Sequence, residues 1–184
     1  MKLRDMLMIS MMAAITGVLG FFPPIPVPVI PIPIVVQSIA PFLAGSILGA
    51  RKGAASMALF VALIAVGAPL LSGMRGGAGH LVGPSGGYIL GYILSAFLIG
   101  LLIAKAGKPT IWKLGLANAV GGAVILLSGA TYLSFVSDIG WTQAVAANAV
   151  FVPGDLAKVV VASAVALRVR KALAPEEEPL RQAA

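Results

Sequence analysis

The sequence contains no cysteine and a single histidine, His80. Without cysteine, the chain can form neither disulfide bonds nor thiolate metal sites. Only three acidic residues, Asp5, Asp138 and Asp155, precede the run of glutamates near the C-terminus. This is too few ligands for a transition-metal site built from protein side chains. We therefore expect no metal ion and no bound cofactor.

Charged residues are also scarce. They make up 10% of the 184 residues, whereas hydrophobic residues make up 59%, and the mean hydropathy is +1.03. A soluble domain of this size needs a far more charged surface, so the composition indicates an integral membrane protein. The net charge of +7 does not indicate nucleic acid, because the basic residues stand in short clusters at the ends of apolar runs and not along one face.

Six apolar segments divide the chain. Each is close to the ~17–25 residues that cross a bilayer as a helix. Helices are the expected form, because backbone in lipid must satisfy its own hydrogen bonds. The segments are Met6–Phe22, Ile34–Ala50, Ala54–Leu71, Gly87–Ala104, Ile111–Val136 and Ala144–Val169.

The positions of lysine and arginine predict the orientation of these segments. With the N-terminus inside, all but two of the 13 basic residues fall on the inner side. The exceptions are Arg75 in an outer loop and Lys158 within the sixth segment. The positive-inside rule thus predicts an all-α integral membrane protein of the cytoplasmic (inner) membrane, a six-helix bundle with both termini cytoplasmic. Residues 1–171 form one domain in this interpretation, and 172–184 form a polar, disordered tail.

The first segment is expected to remain as a helix. It leads into "FFPPIPVPVIPIPIVVQ" without the polar stretch and small-residue site of a cleaved signal peptide. The stretch Pro23–Pro33 cannot be helical, because proline lacks the N–H donor and its ring clashes with the preceding turn. Two interpretations stay open for it: a rigid connector at the membrane interface, or an ordered outer cap over a binding cavity.

A glycine-rich loop separates the third and fourth segments. Seven of the residues at 73–87 are glycine, and Arg75, His80 and Tyr88 stand within or beside them. The loop matches neither a phosphate-binding loop nor a dinucleotide fingerprint. A flexible outer loop is one interpretation, but glycine lets backbone approach a ligand closely, which favours a binding loop. Gln37, at the outer end of the second segment, either bonds to a helix or points into a cavity.

Asp155 and Lys158 form an acid–base pair inside the sixth apolar segment, in "FVPGDLAK". Their i, i+3 spacing places them on one helical face. Proline suits a first turn, so we expect a helix to begin near Pro153 with Asp155 in its first turn, where an acid is favourable. A buried structural ion pair is the alternative, but ionisable residues inside a membrane indicate a functional site.

Taken together, three stretches resemble the BioY family, the biotin-specific S components of energy-coupling factor (ECF) transporters. They are "PVIPIPIVVQSIAPFLAGSILGARKGAAS", "GGAGHLVGPSGGYILGY" and "FVPGDLAKVVVASAVAL". The resemblance implies a six-helix substrate-binding domain that binds biotin near the outer face. It also implies partners that energise transport, namely a membrane T component and two ATPase subunits.

The resemblance also implies site residues. The acid and base of the family's last helix fall on Asp155 and Lys158. The family's glycine loop and tyrosine fall on Gly77, Gly79, Gly83, Gly86, Gly87 and Tyr88. With the polar residues nearby, the candidate biotin-binding set is Asp155, Lys158, Tyr88, Gln37, Gly77, Gly79, His80 and Arg75. Asp155 and Lys158 are assigned to the ureido head of biotin, with contact to its carboxylate as the alternative.

S components are expected to dock on the T component through small residues of the first helix. Here Ala13, Gly17 and Gly20 share one face, of the kind that lets helices approach closely in lipid. Packing of that face inside the chain's own bundle is the alternative. For the whole protein, the other hypotheses are a solitary biotin transporter, an S component for another small vitamin, and a purely structural membrane protein. An enzyme is not expected, because one histidine without cysteine leaves little to build a catalytic site.

Overall fold

The computed structural model describes residues 2–28 and 31–173. The expected tail at 172–184 lies outside this part of the chain, apart from its first two residues. The described residues form eight α-helices, with short 3₁₀ turns at Leu19–Phe21, Val36–Ile39 and Asn148–Val150. The helices are α1 (Leu3–Val18), α2 (Ala40–Leu48), α3 (Ala50–Ala65), α4 (Gly79–Val82), α5 (Gly86–Ala106), α6 (Ile111–Val136), α7 (Trp141–Ala147) and α8 (Val152–Leu173).

The all-α prediction is confirmed for the described residues, in which β-structure is limited to two isolated bridges. Each of the six predicted apolar segments contains helix, but α3 ends at Ala65 and leaves residues 66–71 of the third segment in a loop. Within the described ranges, three helical stretches are long and apolar enough to cross a membrane, and α7 with α8 makes a fourth if that bent pair counts as one span. Several apolar helices therefore mark a multi-pass membrane protein, and the count of six spans stays a prediction.

Two of the expected spans, α2 and α3, are short. With the turn before it, α2 covers Val36–Leu48, which at 1.5 Å per residue is about 20 Å. The 16 residues of α3 extend for about 24 Å, and the hydrocarbon layer is about 30 Å thick. Gly49 alone joins them with a φ of 81°, a conformation that glycine adopts without strain. Because of this tight turn, Arg51 and Lys52 lie in the first turn of α3 and not in a loop.

The last predicted segment is broken in front of its acid–base pair. α7 and the turn that follows it meet α8 at an angle of 60°. α8 begins at Val152, so Pro153 is in the first turn with Asp155. This confirms the helix start predicted near Pro153, since proline has no N–H that the turn would leave unpaired.

Hydrogen bonds identify two ends of the bundle. At one, the Lys52 end, the ammonium of Lys52 lies 2.5 Å from the Asp5 carboxylate and joins the starts of α1 and α3. At the other, the Gln37 end, the Gln37 side-chain amide donates to the carbonyl oxygens of Thr16 and Leu70, both at 2.7 Å. These bonds tie the end of α1 to the loop that follows α3.

Glycine lets neighbouring helices pack closely between these ends. A Cβ on Gly53 of α3 would lie only 2.8 Å from the backbone oxygen of Ala44 in α2. A Cβ on Gly87 of α5 would overlap the side chain of Tyr132 in α6. Small residues at such contacts are typical of helix packing in lipid, where dispersion replaces the hydrophobic effect.

The face of α1 that we expected to meet a partner protein lies inside the bundle. Ala13 is only 2% exposed, and a Cβ on Gly17 would lie 3.1 Å from the Leu70 side chain. The Leu70 carbonyl and the Gln37 amide fill the space beside Gly20. The face is therefore packed against the chain's own residues, which is the arrangement of the alternative. The interface role of the three residues stays a prediction.

The described part of the proline-rich segment is ordered and non-helical, as predicted. Ile25 and Ile34 pair as an antiparallel bridge through two hydrogen bonds of 2.9 Å. Ile32 is buried against the core, and Pro33 lines a cavity beneath. Of the two interpretations of this segment, the structure supports a cap over a cavity.

Candidate ligand-binding site

A two-lobed cavity lies at the Gln37 end, under the proline-rich segment. The lobes contain about 460 and 370 Å³ of space that no protein atom fills, including space open to solvent. Their common wall consists of Ile32, Pro33, Val35, Tyr88 and Tyr92. The two lobes are therefore neighbours that share one largely apolar set of residues.

The larger lobe, which we call the Arg75 lobe, carries an uncompensated positive charge. Apart from the common wall, it is lined by Gln37, Leu71, Ser72, Arg75, His80, Ser85 and Ile89. No carboxylate is among these lining residues. The Arg75 Nε donates to the Ser72 carbonyl oxygen at 3.1 Å, which holds the side chain in place. The lobe is suited to an anionic group.

The smaller lobe, which we call the Asp155 lobe, contains a neutralised ion pair. Apart from the common wall, it is lined by Ser38, Ile125, Leu126, Phe151, Asp155 and Lys158. The Lys158 Nζ donates to the Asp155 Oδ1 and to the Ser38 Oγ, both at 2.8 Å. The Lys158 and Asp155 side chains are 14% and 17% exposed. An opposite charge nearby makes such burial tolerable for both groups.

The ion pair keeps hydrogen-bonding capacity for a ligand. A lysine ammonium has three N–H donors, and the bonds to Asp155 and Ser38 occupy two of them. The Asp155 carboxylate accepts through Oδ1, which leaves the lone pairs of Oδ2 available. The lobe therefore offers a donor and an acceptor side by side.

Tyr88, a predicted site residue, forms the centre of the common wall. Its hydroxyl donates to the Asn148 Oδ1 at 2.6 Å, and the Asn148 amide donates to the Leu126 carbonyl at 2.8 Å. Its ring meets that of Phe151 edge-on, with centroids 6.1 Å apart. Because the hydroxyl is bonded to protein, Tyr88 presents its ring and not its polar tip to the cavity.

Gln37, another predicted ligand-binding residue, lines the Arg75 lobe and also has a structural role. Its two amide hydrogens go to the Thr16 and Leu70 carbonyls, so only its amide oxygen is left for a ligand. Arg75 and His80 both line the same lobe, and their contact with a ligand stays a prediction.

The predicted glycines Gly77 and Gly79 line neither lobe. Gly77 has a φ of 102°, and its N–H donates to the Ile64 carbonyl at 2.9 Å. Gly79 begins the single turn of α4. The structure therefore gives these glycines a part in the shape of the loop that carries Arg75 and His80.

The sequence did not identify several of the residues that line the two lobes. Ser38 bonds to Lys158 across 120 positions of sequence, and Ser72 lines the Arg75 lobe with a buried hydroxyl that lacks a partner in the described part of the chain. Serine among apolar residues gives no signal of this kind. Tyr92 was detectable, because it follows Tyr88 by one helical turn and must share its face.

The arrangement suits recognition of a small molecule. Among the described residues, no three His, Cys, Asp or Glu side chains come together as metal ligands. The cavity combines a cationic lobe, a neutral polar lobe and an apolar wall. These match a small molecule with an anionic group at one end and a polar, uncharged group at the other.

Known proteins resemble the chain over most of its length. The model of the BioY family matches residues 1–175. The biotin transporter BioY of Rhizobium etli is 39% identical, covering 89% of this chain and 91% of the relative. The probable biotin transporter BioY of Bacillus subtilis is 38% identical, covering 94% of each.

A solved structure agrees with the fold. It is a crystal structure of the S-component for biotin from an ECF-type ABC transporter, with a TM-score of 0.87 and 34% sequence identity over 91% of each chain. The family model and the relatives each cover nearly the whole chain. The chain belongs to the BioY family.

Proposed function

We propose that this chain captures biotin in the two-lobed cavity and serves as the substrate-binding S subunit of an ECF-type vitamin transporter. The names of its relatives and of the matching structure support this role. They favour transport over enzymatic chemistry. The observation that carries the proposal is the separation of a cation, Arg75, whose lobe has no carboxylate among its described lining residues, from a neutral Asp155–Lys158 pair along one apolar wall.

In this proposal the ureido head of biotin occupies the Asp155 lobe. A cyclic urea presents N–H donors and a carbonyl acceptor side by side. These complement the free oxygen of Asp155 and the free ammonium hydrogen of Lys158. A head group that lacks these atoms would leave buried polar groups unpaired, which gives the site its selectivity.

The carboxylate of biotin then lies in the Arg75 lobe. Lys158 is a poor competitor for it, because Asp155 already neutralises that ammonium at 2.8 Å. Arg75 has no acidic partner among the residues that line its lobe, and the buried Ser72 hydroxyl makes no hydrogen bond to the described residues and can donate to the ligand. The thiophane ring and alkyl chain pack against Tyr88, Tyr92 and Ile32.

The proposed setting is the cytoplasmic membrane, with six spans and both termini inside. The placement of nearly all basic residues in the expected inner segments supports this orientation. It puts the Gln37 end, and the cavity with it, on the outer side. The short α2 and α3 are accommodated by local thinning of the bilayer or by contacts with partner subunits.

The proposed partners are a membrane T component and two ATPase subunits. The sequence contains no Gly-Lys-Ser/Thr phosphate loop, so this chain cannot supply ATP hydrolysis through that motif. The ECF-type assembly named for the matching structure supports the same arrangement here.

Calorimetric titration of the purified protein in detergent tests the proposal. We expect saturable binding of one biotin per chain. Calorimetry is preferable to tryptophan fluorescence, because neither Trp112 nor Trp141 lines a lobe. Absence of saturable binding by folded protein would contradict the proposal, and tighter binding of a different vitamin would redirect it.

A pull-down tests the assembly. Co-expression with the T component and ATPases of the same organism should give a complex that copurifies with this chain. Uptake of biotin that persists without any ATPase subunit would instead favour a solitary transporter.

A further inference from the structure

Three buried side chains connect α2, α6 and α8 in the interior of the bundle. The Ser46 hydroxyl of α2 donates to the Asn118 Oδ1 of α6 at 2.9 Å, and the Asn118 Nδ2 donates to the Ser163 Oγ of α8 at 2.9 Å. All three side chains are buried. The Ser163 hydroxyl in turn donates to the Val159 carbonyl at 2.7 Å.

All three of these helices also contribute to the Asp155 lobe, α6 and α8 directly and α2 through the turn that precedes it. Ser38 belongs to the 3₁₀ turn that continues into α2, and Lys158 belongs to α8. Lys158 is adjacent to Val159, the residue whose carbonyl accepts the last bond of the chain. α2 and α8 are therefore connected at two levels, directly by Lys158 and Ser38 and more deeply through Asn118.

Both levels depend on the same alignment of the helices. Ala44 of α2 and Ala162 and Ala166 of α8 are fully buried alanines. Side chains as small as alanine interlock only weakly, so they do little to set the position of one helix along its neighbour. Directional hydrogen bonds between helices supply the missing specificity, because a shift leaves buried polar groups unpaired.

We propose that Ser46, Asn118 and Ser163 are positioning residues for biotin binding: they set α8 against α2 so that Lys158 reaches Ser38 and keeps its third N–H directed to the ligand. The inference rests on the proposed function, because it concerns the same cavity. None of the three residues lines either lobe, so their effect on the ligand is indirect, and in this proposal it passes through Lys158.

Ser163→Ala with Ser56→Ala as its matched control tests this proposal. Both serines are buried in helices and donate to a carbonyl of their own helix at 2.7 Å. Only Ser163 also accepts a bond from another helix. We expect calorimetry to give about a fivefold to tenfold loss of biotin affinity for Ser163→Ala, and less than a twofold change for Ser56→Ala.

A double-mutant cycle with Ser38→Ala separates positioning from general destabilisation. If Ser163 acts through the Lys158–Ser38 contact, Ser163→Ala should cost clearly less affinity in the Ser38→Ala background than in the wild type. Equal losses in both backgrounds, or equal effects of the two single serine variants, would overturn the proposal. Failure of the wild type to bind biotin would instead contradict the proposed function.

Should Ser163→Ala fail to fold, Ser46→Ala provides the same comparison from α2. It removes a single donor to Asn118 and leaves the Asn118–Ser163 bond in place. A loss of affinity that is absent in Ser56→Ala supports the proposal, and an affinity equal to that of the wild type contradicts it.

Discussion

The substitution Lys158→Met tests the Asp155 lobe most directly. It removes the ammonium that bonds to Asp155 and Ser38 at 2.8 Å and leaves an unbranched side chain of similar length. In the proposed complex the third N–H of Lys158 bonds to the ureido oxygen. A hydrogen bond to a charged group contributes about 1.5–3 kcal/mol, so biotin affinity should fall about 10- to 150-fold.

The same substitution should lower the stability of the protein for a different reason. It leaves the Asp155 carboxylate, 17% exposed, without its partner. Breaking a buried ion pair costs about 3–5 kcal/mol, and the partial exposure of Asp155 reduces this figure. The double variant Asp155→Asn/Lys158→Met removes both charges, so its melting temperature should return towards that of the wild type. Its affinity should remain low, because neither ligand contact is restored.

Calorimetry and thermal unfolding in detergent measure the two effects separately. Lys113→Met is the matched control, because Lys113 is an exposed lysine at the start of α6 and its loss removes the same charge away from the cavity. Wild-type affinity in both Lys158→Met and the double variant would refute the ligand role. The pair would then be purely structural.

Three further substitutions test the Arg75 lobe, the packing of α1 and the hydrogen bond of Tyr88. Arg75→Gln should lower the affinity for biotin at least tenfold, since it removes a charge-assisted bond to the carboxylate. The affinity for biotin methyl ester, which lacks that charge, should change by less than about threefold. Equal losses for both ligands would contradict the placement of the carboxylate. Gly20→Ala forces a methyl group into occupied space and should destabilise the fold by about 1–3 kcal/mol. Gly115→Ala should not, because no atom lies within 4 Å of the added methyl group. Equal melting temperatures of the two variants would refute the packing argument. Tyr88→Phe leaves the Asn148 oxygen without its hydrogen bond, so it should lower the stability by about 1–3 kcal/mol with little change in biotin affinity. A loss of affinity with unchanged stability would mean that the hydroxyl contacts the ligand.

Hydropathy predicted where the helices lie, because each apolar run must satisfy its backbone in lipid. It could not predict their lengths. The single-residue turn at Gly49 follows from a backbone conformation that many glycines of this chain do not adopt. The bend before α8 had one local signal, Pro153, and the role of Asn148 beside it depends on Tyr88, 60 positions away.

The site was predictable where burial is costly. Asp155 and Lys158 stood out because charges in an apolar segment require a partner or a function. Ser38 and Ser72 did not, because a hydroxyl in a membrane helix or loop is common and gives no such signal. Gln37 was identified as polar in an apolar context, but its bonds to Thr16 and Leu70 depend on a fold that the sequence pattern does not specify.

The small-residue face of α1 marks the limit of spacing rules. Ala13 and Gly17 are four apart, and this predicts close packing against some helix without specifying which one. In the structure the chain's own Leu70 lies against Gly17. The opposite face of α1 presents Met11 and Val18, which are 62% and 60% exposed. A partner that docks on this face of α1 therefore meets exposed apolar side chains, and close contact with Gly17 would first require Leu70 to be displaced from the bundle.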